Sequence, residues 1–447
     1  MKANFDSVIN GVINAVHPKG MFFHHLKYSD GKLFIKGKSF DIDSCGAIRL
    51  VGVGKASSQQ IDELSSLLCS FGLSEKIKSA FVVTKKDHLV ENCGIDQIES
   101  SHPYCDGSSM VAGEKMIEHL QTFSEDDLVL FSISGGASSL LIKPVSELSL
   151  DEFILLNKTL VTSDVTIEEI NTVRKTFSDI KNGGLLKYTM AKTVVNLGVS
   201  DIPSNDFSMI GSSPTCHSPI EWEKLLEIID HSFSESPLLE KLLEFVNSGR
   251  AKEADSKKEM AFCEKDVHNF LLADFEFLME RTSLILNENY PKANIMGISE
   301  CLNAQLDEIV RLHVDLLRNN LGTPHMVYSG GEVSLKVTGD GRGGRNLHFV
   351  ACMAHEIFEK NIYSIDEKNL SRIRLMSLGT DGTDGPTEYA GAWIDYETWL
   401  LGKNAGIDLE GYINSFNTME YFEKIDTAIK TGPTGTNIMD LRVVAFF

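Results

Sequence analysis

The sequence predicts an α/β fold of two domains: a Rossmann-like N-terminal domain around a parallel sheet, and a smaller α/β C-terminal domain. Three observations lead there. At 447 residues the chain is longer than one hydrophobic core serves. From Ala47 onward, short apolar runs alternate with longer stretches of helical period, the rhythm of strands joined by crossover helices. The runs at 47–53, 128–133 and 193–199 pass directly into glycine-rich or polar residues, as strands of an open sheet do where they meet a ligand.

Taken in order, residues 7–16 have the spacing of an amphipathic helix. The strand candidates are AIRLVGV (47–53), AFVVT (80–84), LVLFSI (128–133) and TVVNLGV (193–199), with helices over 107–122 and 150–162 between them. Residues 222–320 lack that strand rhythm. They are leucine-rich and charged, which predicts helices joining the domains, with ADSKKEM (254–260) as an exposed turn. The α/β pattern returns with MVYSGG (326–331), a helix after Arg345, RLMSLG (374–379) and LRVVAFF (441–447). The expected division is 1–240, Rossmann-like; 241–324, a helical bridge; and 325–447, the second α/β domain.

Composition excludes several functions. A net charge of −21 repels nucleic acid and anionic membranes, so an anionic substrate needs a local basic pocket. A hydrophobic content of 42% is that of an ordinary globular protein. No apolar run reaches the length of a membrane span, and the N-terminus lacks the apolar stretch of a signal peptide. Eight scattered cysteines with no CxxC fit free thiols in a reducing cytoplasm better than disulfides or zinc. Cytoplasmic location and small-molecule partners are expected. The oligomeric state stays open, a homodimer included.

The chemistry-bearing motifs stand at the predicted strand ends. GVGKASS (52–58) places Lys55 near a helix N-terminus, where an anion is favoured. It is not a Walker A loop, since Arg49 and Ala56 stand where glycine and Ser/Thr are needed. The alternative is a solvated lysine in a strand–helix turn. SISGGASSLL (132–141) offers Gly135 and Gly136 for close backbone approach and Ser134, Ser138 and Ser139 as donors; the alternative is a plain tight turn. EINTVRKTFSDIKNGG (169–184) sets Arg174 and Lys181 seven apart, the spacing of one helix face, which makes a cationic wall. The alternative is a solvated face paired with Glu168, Glu169 and Asp179. In VSDIPSND (199–206), Asp201 at a strand end suits a metal, a hydroxyl or a simple turn cap.

GDGRGGRN (339–346) has four glycines in six residues, a loop shaped for close approach of backbone to something, with Arg342 and Arg345 matching phosphate or carboxylate by two-pronged contacts. SLGTDGTDGP (377–386) carries Asp381 and Asp384 on a tight turn, which suits Mg²⁺. KTGPTGTN (430–437) repeats that Gly/Thr character. His102, His348 and His355 have no partners at zinc spacing.

In sequence order, GKAS, HPYCDG, ISGGASSLL, EINTVRK…IKNGG, SDIP, SGGE…GRGGRN, GTDGTDGPT and KTGPTGTN resemble the glycerate 2-kinase family with a MOFRL C-terminal domain. The resemblance runs from about residue 50 to the C-terminus and is weak through 222–320. It implies two α/β domains with an interdomain cleft for nucleotide and glycerate. It also implies transfer of the ATP γ-phosphoryl group to the 2-hydroxyl of D-glycerate, with Mg²⁺. By the same resemblance Lys55 and Arg345 are catalytic or substrate-binding. On this reading Ser134, Gly135, Gly136, Ser138, Arg174, Lys181, Asp201, Gly343, Gly344, Asn346, Thr380 and Thr434 surround substrate and nucleotide, and Asp381 and Asp384 hold the metal.

The chain departs from the family pattern at Ala137, where glycine is usual, at Val333 for threonine, and at Leu347-His348 for Gln-Glu. The last change removes a carboxylate beside Arg345. The alternatives are therefore a kinase for a related hydroxy acid or sugar acid, and a metabolite-binding relative without chemistry. The name hydroxypyruvate reductase, often attached to members, is not independent support. A nicotinamide fingerprint would need glycine or alanine where Ser57 stands.

Overall fold

The computed structural model describes residues 5–92, 94–201 and 206–447; Cys93 and residues 202–205, inside the SDIPSND stretch, lie outside the described residues. Contacts divide the chain into two compact units: Met21–Leu272, and Met1–Gly20 together with Ala273–Phe447.

The unit Met21–Leu272 opens with three antiparallel strands, β1 (Leu26–Ser29), β2 (Lys32–Ile35) and β3 (Lys38–Asp41). Two-residue turns join them, and Asp30, Gly31, Lys36 and Gly37 all have positive φ, the backbone whose twist matches a hairpin. Six strands form the main sheet: β4 (Ile48–Val53), β5 (Ile77–Lys85), β6 (Asp96–Ser100), β7 (Leu128–Ile133), β8 (Thr193–Val199) and β9 (Asp266–Ala273). Their order is β6-β5-β4-β7-β8-β9, parallel from β6 through β8. The chain enters at β4, winds outward to β6, then returns to β7 on the other side of β4. That is the doubly wound order, whose crevice opens at the carboxyl ends of β4 and β7. β7 is buried along its whole length and β4 at all positions but Arg49, because helices cover both faces. Val51, Val53, Phe131 and Ile133 pack against Ala112, Met116 and Leu120 of the helix Gly107–Leu120.

Of the stretch expected to join two domains, residues up to Leu272 belong to this unit and those from Ala273 to the other. Phe233, Leu242 and Phe245 from the helices Trp222–Phe233 and Leu239–Asn247 join Phe153, Leu156 and Val173 in a second core of this same unit. ADSKKEM lies within the helix Arg250–Cys263 rather than in a turn, and β9 then joins the sheet edge. β9 escapes a search for apolar runs because it is an edge strand with three of its eight positions polar and only its last two fully buried. By contacts the two units divide at 272/273, and the N-terminal twenty residues group with the C-terminal half.

The other unit is built on β10 (Asn294–Gly297), β11 (His325–Gly330), β12 (Ile373–Gly379), β13 (Gly391–Asp395), β14 (Ala428–Ile429) and β15 (Asp440–Phe446), in the order β10-β11-β15-β12-β13-β14. Only β10 and β11 pair in parallel; the remaining pairs are antiparallel. β15 is wholly buried between β11 and β12, with Asp440 and Arg442 buried among its apolar residues. Leu347, Val350 and Met353 of the helix Arg345–Ala354 pack with Leu375, Ile394 and Val444 of the sheet. The helix Asp6–Val16 lies against the helix Phe275–Asn289, where Gly11 faces Ile285. Among the described residues no helix is long and apolar enough to cross a membrane.

Candidate functional site

The predicted residues fall into two groups, one in each unit. In Met21–Leu272 they gather at the crevice between β4 and β7. Val53 and Ile133 are paired in register, so the turns that follow them are neighbours. Lys55 N–H donates to Gly135 O at 3.0 Å, and Ala56 N–H to Ser134 Oγ at 3.3 Å. The Lys55 carbonyl is fixed from the other side by Thr84 Oγ1 at 3.3 Å and by the His88 ring at 3.1 Å. The Lys55 backbone is thus anchored on both sides. Its ammonium makes no hydrogen bond or ion pair with the described residues and stays available.

Gly136 has φ +88°, and a side chain there would strike Lys55 Cγ and His102 Cδ2, each 2.9 Å from the position of a Cβ. A Cβ on Gly135 would lie 2.7 Å from Asp201 Oδ2. Lys55, His102, Ser134 and Asp201 therefore converge on this turn. Burial, then the positive charges of Lys55, Lys85 and His88, push His102 down to about 4, so it is a neutral acceptor at physiological pH. Burial raises the Asp201 carboxyl, with Lys55 pulling the other way. A groove of about 310 Å³ adjoins His102, lined by Lys85, Lys86, Ser101 and Ser108 along with Glu99 and Asp106.

Three expectations here need correction. Ser138 Oγ lies 2.9 Å from Ser212 Oγ, whose own proton goes to Asn171 Oδ1 at 2.7 Å. The Ser138 proton is therefore turned inward to Ser212, not toward a ligand. Arg174 and Lys181 do not share a helix face, because the helix ends at Thr176. Lys181 is buried beneath the turn and donates to the carbonyls of Ser138 and Leu141. The solvated-face alternative also fails for Arg174: it is half-buried, donates from Nε to Asn157 Oδ1 at 2.8 Å, and pairs with no carboxylate among the described residues.

In the other unit the motifs meet at one end of the sheet, where β11 and β12 end and β15 begins. Arg345 donates from Nε to Asp440 Oδ2 at 2.5 Å and from Nη2 to Asp440 Oδ1 at 3.2 Å and Glu332 Oε1 at 2.8 Å. Burial works against its charge, but Asp440 and Glu332 outweigh it and hold its pKa above the ordinary value. Asn346 Nδ2 donates to the same Asp440 at 3.0 Å. Neither Asp440 nor Glu332 stood out in the sequence. The apolar run LRVVAFF conceals the first, and the second is a lone glutamate after two glycines.

Asp384 is corrected from metal ligand to helix cap. It is 2% exposed and accepts from Asn346 N–H at 3.0 Å and Leu347 N–H at 2.8 Å, the free donors at the start of the helix Arg345–Ala354. The residue preceding that helix is Gly344, which has no side chain to cap it. A Cβ on Gly344 would lie 2.3 Å from Asp384 Cγ, so glycine there makes room for this carboxylate. Burial pushes Asp384 up to about 7 against the hydrogen bonds from Leu347 and Asn346. Asp384→Ala is expected to lower the free energy of unfolding by about 2 kcal/mol, read by urea denaturation, since two buried N–H groups lose their acceptor. Asp384→Asn should cost less and leave the Mg²⁺ concentration for half-maximal activity unchanged.

The rest of GDGRGGRN is likewise turned to its own chain. Cβ atoms on Gly341 and Gly343 would lie 2.4 Å from Ser415 O and 2.3 Å from Thr418 Oγ1, so the loop's close approach is to the segment 415–418. Thr380 Oγ1 donates to Met439 O at 2.7 Å, and Thr434 Oγ1 to Thr380 O at 2.6 Å. Both hydroxyls are buried and bind loops together instead of facing a ligand. Asp381 remains half-buried at the loop surface, with Oδ1 accepting from Thr383 N–H at 3.0 Å. Leu347 lies in the core and His348 stacks on Phe416 at 4.9 Å, so the departure from Gln-Glu is a packing change. Among the described residues no three His, Cys, Asp or Glu side chains form a metal cage.

Residues 4–246 match the family described as domain of unknown function (DUF4147), and residues 325–440 match the MOFRL family. The chain is 28% identical to the glycerate 2-kinase of Pyrococcus horikoshii, across 96% of this chain and 94% of that protein. It is 30% identical to a putative hydroxypyruvate reductase of Agrobacterium vitis, across 89% and 87%. The crystal structure of glycerate kinase from Thermotoga maritima matches it with a TM-score of 0.80 at 26% identity, covering 100% of this chain and 99% of that one.

Proposed function

Because the chain belongs to the family that joins a DUF4147 domain to a MOFRL domain, we propose that it is an ATP-dependent glycerate 2-kinase, moving the γ-phosphoryl group of ATP to the 2-hydroxyl of D-glycerate. The observation that carries this reading is the free ammonium of Lys55 set beside Gly135 and Gly136 at the crevice of a doubly wound sheet. Phosphoryl transfer asks the protein mainly for positioning and for charge where the transition state develops it.

In this scheme Lys55 meets the transferring phosphoryl group, and the backbone of Ser134–Gly136 seats it. Asp201, close to Lys55 and raised by burial, accepts the proton of the acceptor hydroxyl. Arg174, a half-buried cation with no carboxylate, faces an anionic group of a substrate. Arg345 holds charge at the second group of motifs. Mg²⁺ fits this set only as a nucleotide-borne ion: Asp381 is the protein oxygen that would hold it, together with phosphate oxygens and water. When bound it supplies neutralisation of phosphate charge.

Activity is expected to require Mg²⁺ or Mn²⁺ and to vanish in excess chelator, with no need for zinc. A coupled ADP assay over a panel of hydroxy acids should be fastest with D-glycerate, and phosphorus NMR should identify the 2-phosphate. No ADP release with any acid of the panel would sink the kinase reading. Hydroxypyruvate with NADH or NADPH should give no oxidation of the nucleotide.

A further inference from the structure

The turn that follows β7 is held from below by one buried amine. Lys181 is 2% exposed, and its Nζ donates to Ser138 O at 2.8 Å and Leu141 O at 3.4 Å. Ser138 lies in the short helix Ala137–Leu140 that closes the turn, and Leu141 ends it. One side chain therefore spans the exit of the segment whose entry is fixed by Lys55 and Ala56.

The charges facing Lys181 come from three elements: Arg174 of the helix Ile167–Thr176, Lys258 of the helix Arg250–Cys263, and the thiol of Cys105 ahead of the helix Gly107–Leu120. No carboxylate is among them. Lys258 donates to the carbonyls of Lys175 and Ser178, and Arg174 to Asn157. Three basic side chains are thus packed under the turn with amide or carbonyl oxygens as their hydrogen-bond acceptors, and the carboxylates of Asp255 and Asp179 act on Lys258. A buried amine in that setting gives up its proton readily, and an anion arriving nearby restores it.

We propose that Lys181 is a proton-linked positioning residue: an amine while the turn is empty, it takes a proton from solvent when an anionic substrate group settles on Ser134–Ser139. The ammonium then grips the two carbonyls by charge-assisted bonds, which are stronger than those of the neutral amine. The inference rests on the reading that this turn seats a phosphate or carboxylate of the kinase substrates. Burial, and then Arg174, bring Lys181 down to about 7, so near pH 8 the free protein holds it mostly as the amine.

Titration calorimetry of the whole protein at pH 8 tests this, with D-glycerate and with MgATP, in HEPES and in Tris buffer. The ligand seated on the turn should show binding heats that differ between buffers by the uptake of about one proton. Lys181→Arg keeps the charge and should bind without uptake. Lys181→Met should bind about tenfold more weakly, also without uptake. In the wild type kcat/KM should fall on an alkaline limb that is absent in Lys181→Arg. Buffer-independent heats in the wild-type protein overturn the coupling and leave the kinase reading standing. Uptake that persists in Lys181→Arg assigns the proton to another group and overturns it as well. Absence of binding by either ligand overturns the kinase reading, and the coupling with it.

Discussion

Lys55→Ala is expected to lower kcat by about three orders of magnitude while the unfolding transition stays where it is in the wild type. The backbone of Lys55 is tied by its N–H to Gly135 and by its carbonyl to Thr84 and His88, and alanine keeps all of these bonds. What is lost is the ammonium, which in the proposed scheme meets developing phosphoryl charge, and a preorganised donor of that kind is worth about 10²–10³ in rate. Removal of a positive charge from beside Asp201 should also raise that carboxyl further and shift the acid limb of the pH profile upward. A folded Lys55→Ala protein with kcat near wild type would remove Lys55 from the mechanism.

Arg345→Lys should lower kcat/KM by about two orders of magnitude although the charge is kept. The guanidinium reaches two oxygens of Asp440 and one of Glu332 at once, and a lysine ammonium has no planar fork to reproduce that geometry. Asp440 is 1% exposed and depends on Arg345 and Asn346 for its partners, so the variant should also lose some stability. Thermal unfolding alongside kinetics separates the two effects: a lowered Tm with unchanged kcat/KM would restrict Arg345 to structure. If Lys55 and Arg345 act on one phosphoryl group, the double variant should be far less impaired than the product of the two single losses. Simple multiplication of the losses would mean that they serve separate steps.

Much of the fold was legible because burial on both faces leaves a mostly apolar run. β4, β7, β8, β11, β12 and β15 all have that signature, and each lies within a residue or so of its expected place. Among the strands that went unseen, β9 and β10 lie at sheet edges with polar or exposed positions and β6 carries a buried side chain only at Ser100, while β13 and β14 are short, with five and two residues. The hairpins of β1–β3 were not read either, although Asp30-Gly31 between alternating polar and apolar residues carries the hairpin signature. The second unit joins residues from both ends of the chain, which no local pattern shows.

For the site, the sequence by itself determined which loops matter: glycines, lysines and carboxylates stand where strands end, and strand periodicity places those ends on one edge of each sheet. It could not determine whom each side chain answers to. GDGRGGRN reads as a phosphate loop, yet Gly344 makes room for the Asp384 carboxylate, and Gly341 and Gly343 for the segment 415–418. Asp384 reads as a metal ligand, yet it caps a helix that starts thirty-nine residues earlier. Lys181 reads as part of a cationic wall facing substrate, yet it is a buried clamp on two carbonyls. A glycine or a carboxylate satisfies the same local pattern whether the partner is a ligand or a distant piece of chain. Only the tertiary structure decides between them, because buried polar groups must find acceptors or donors and the nearest ones belong to residues far away in sequence.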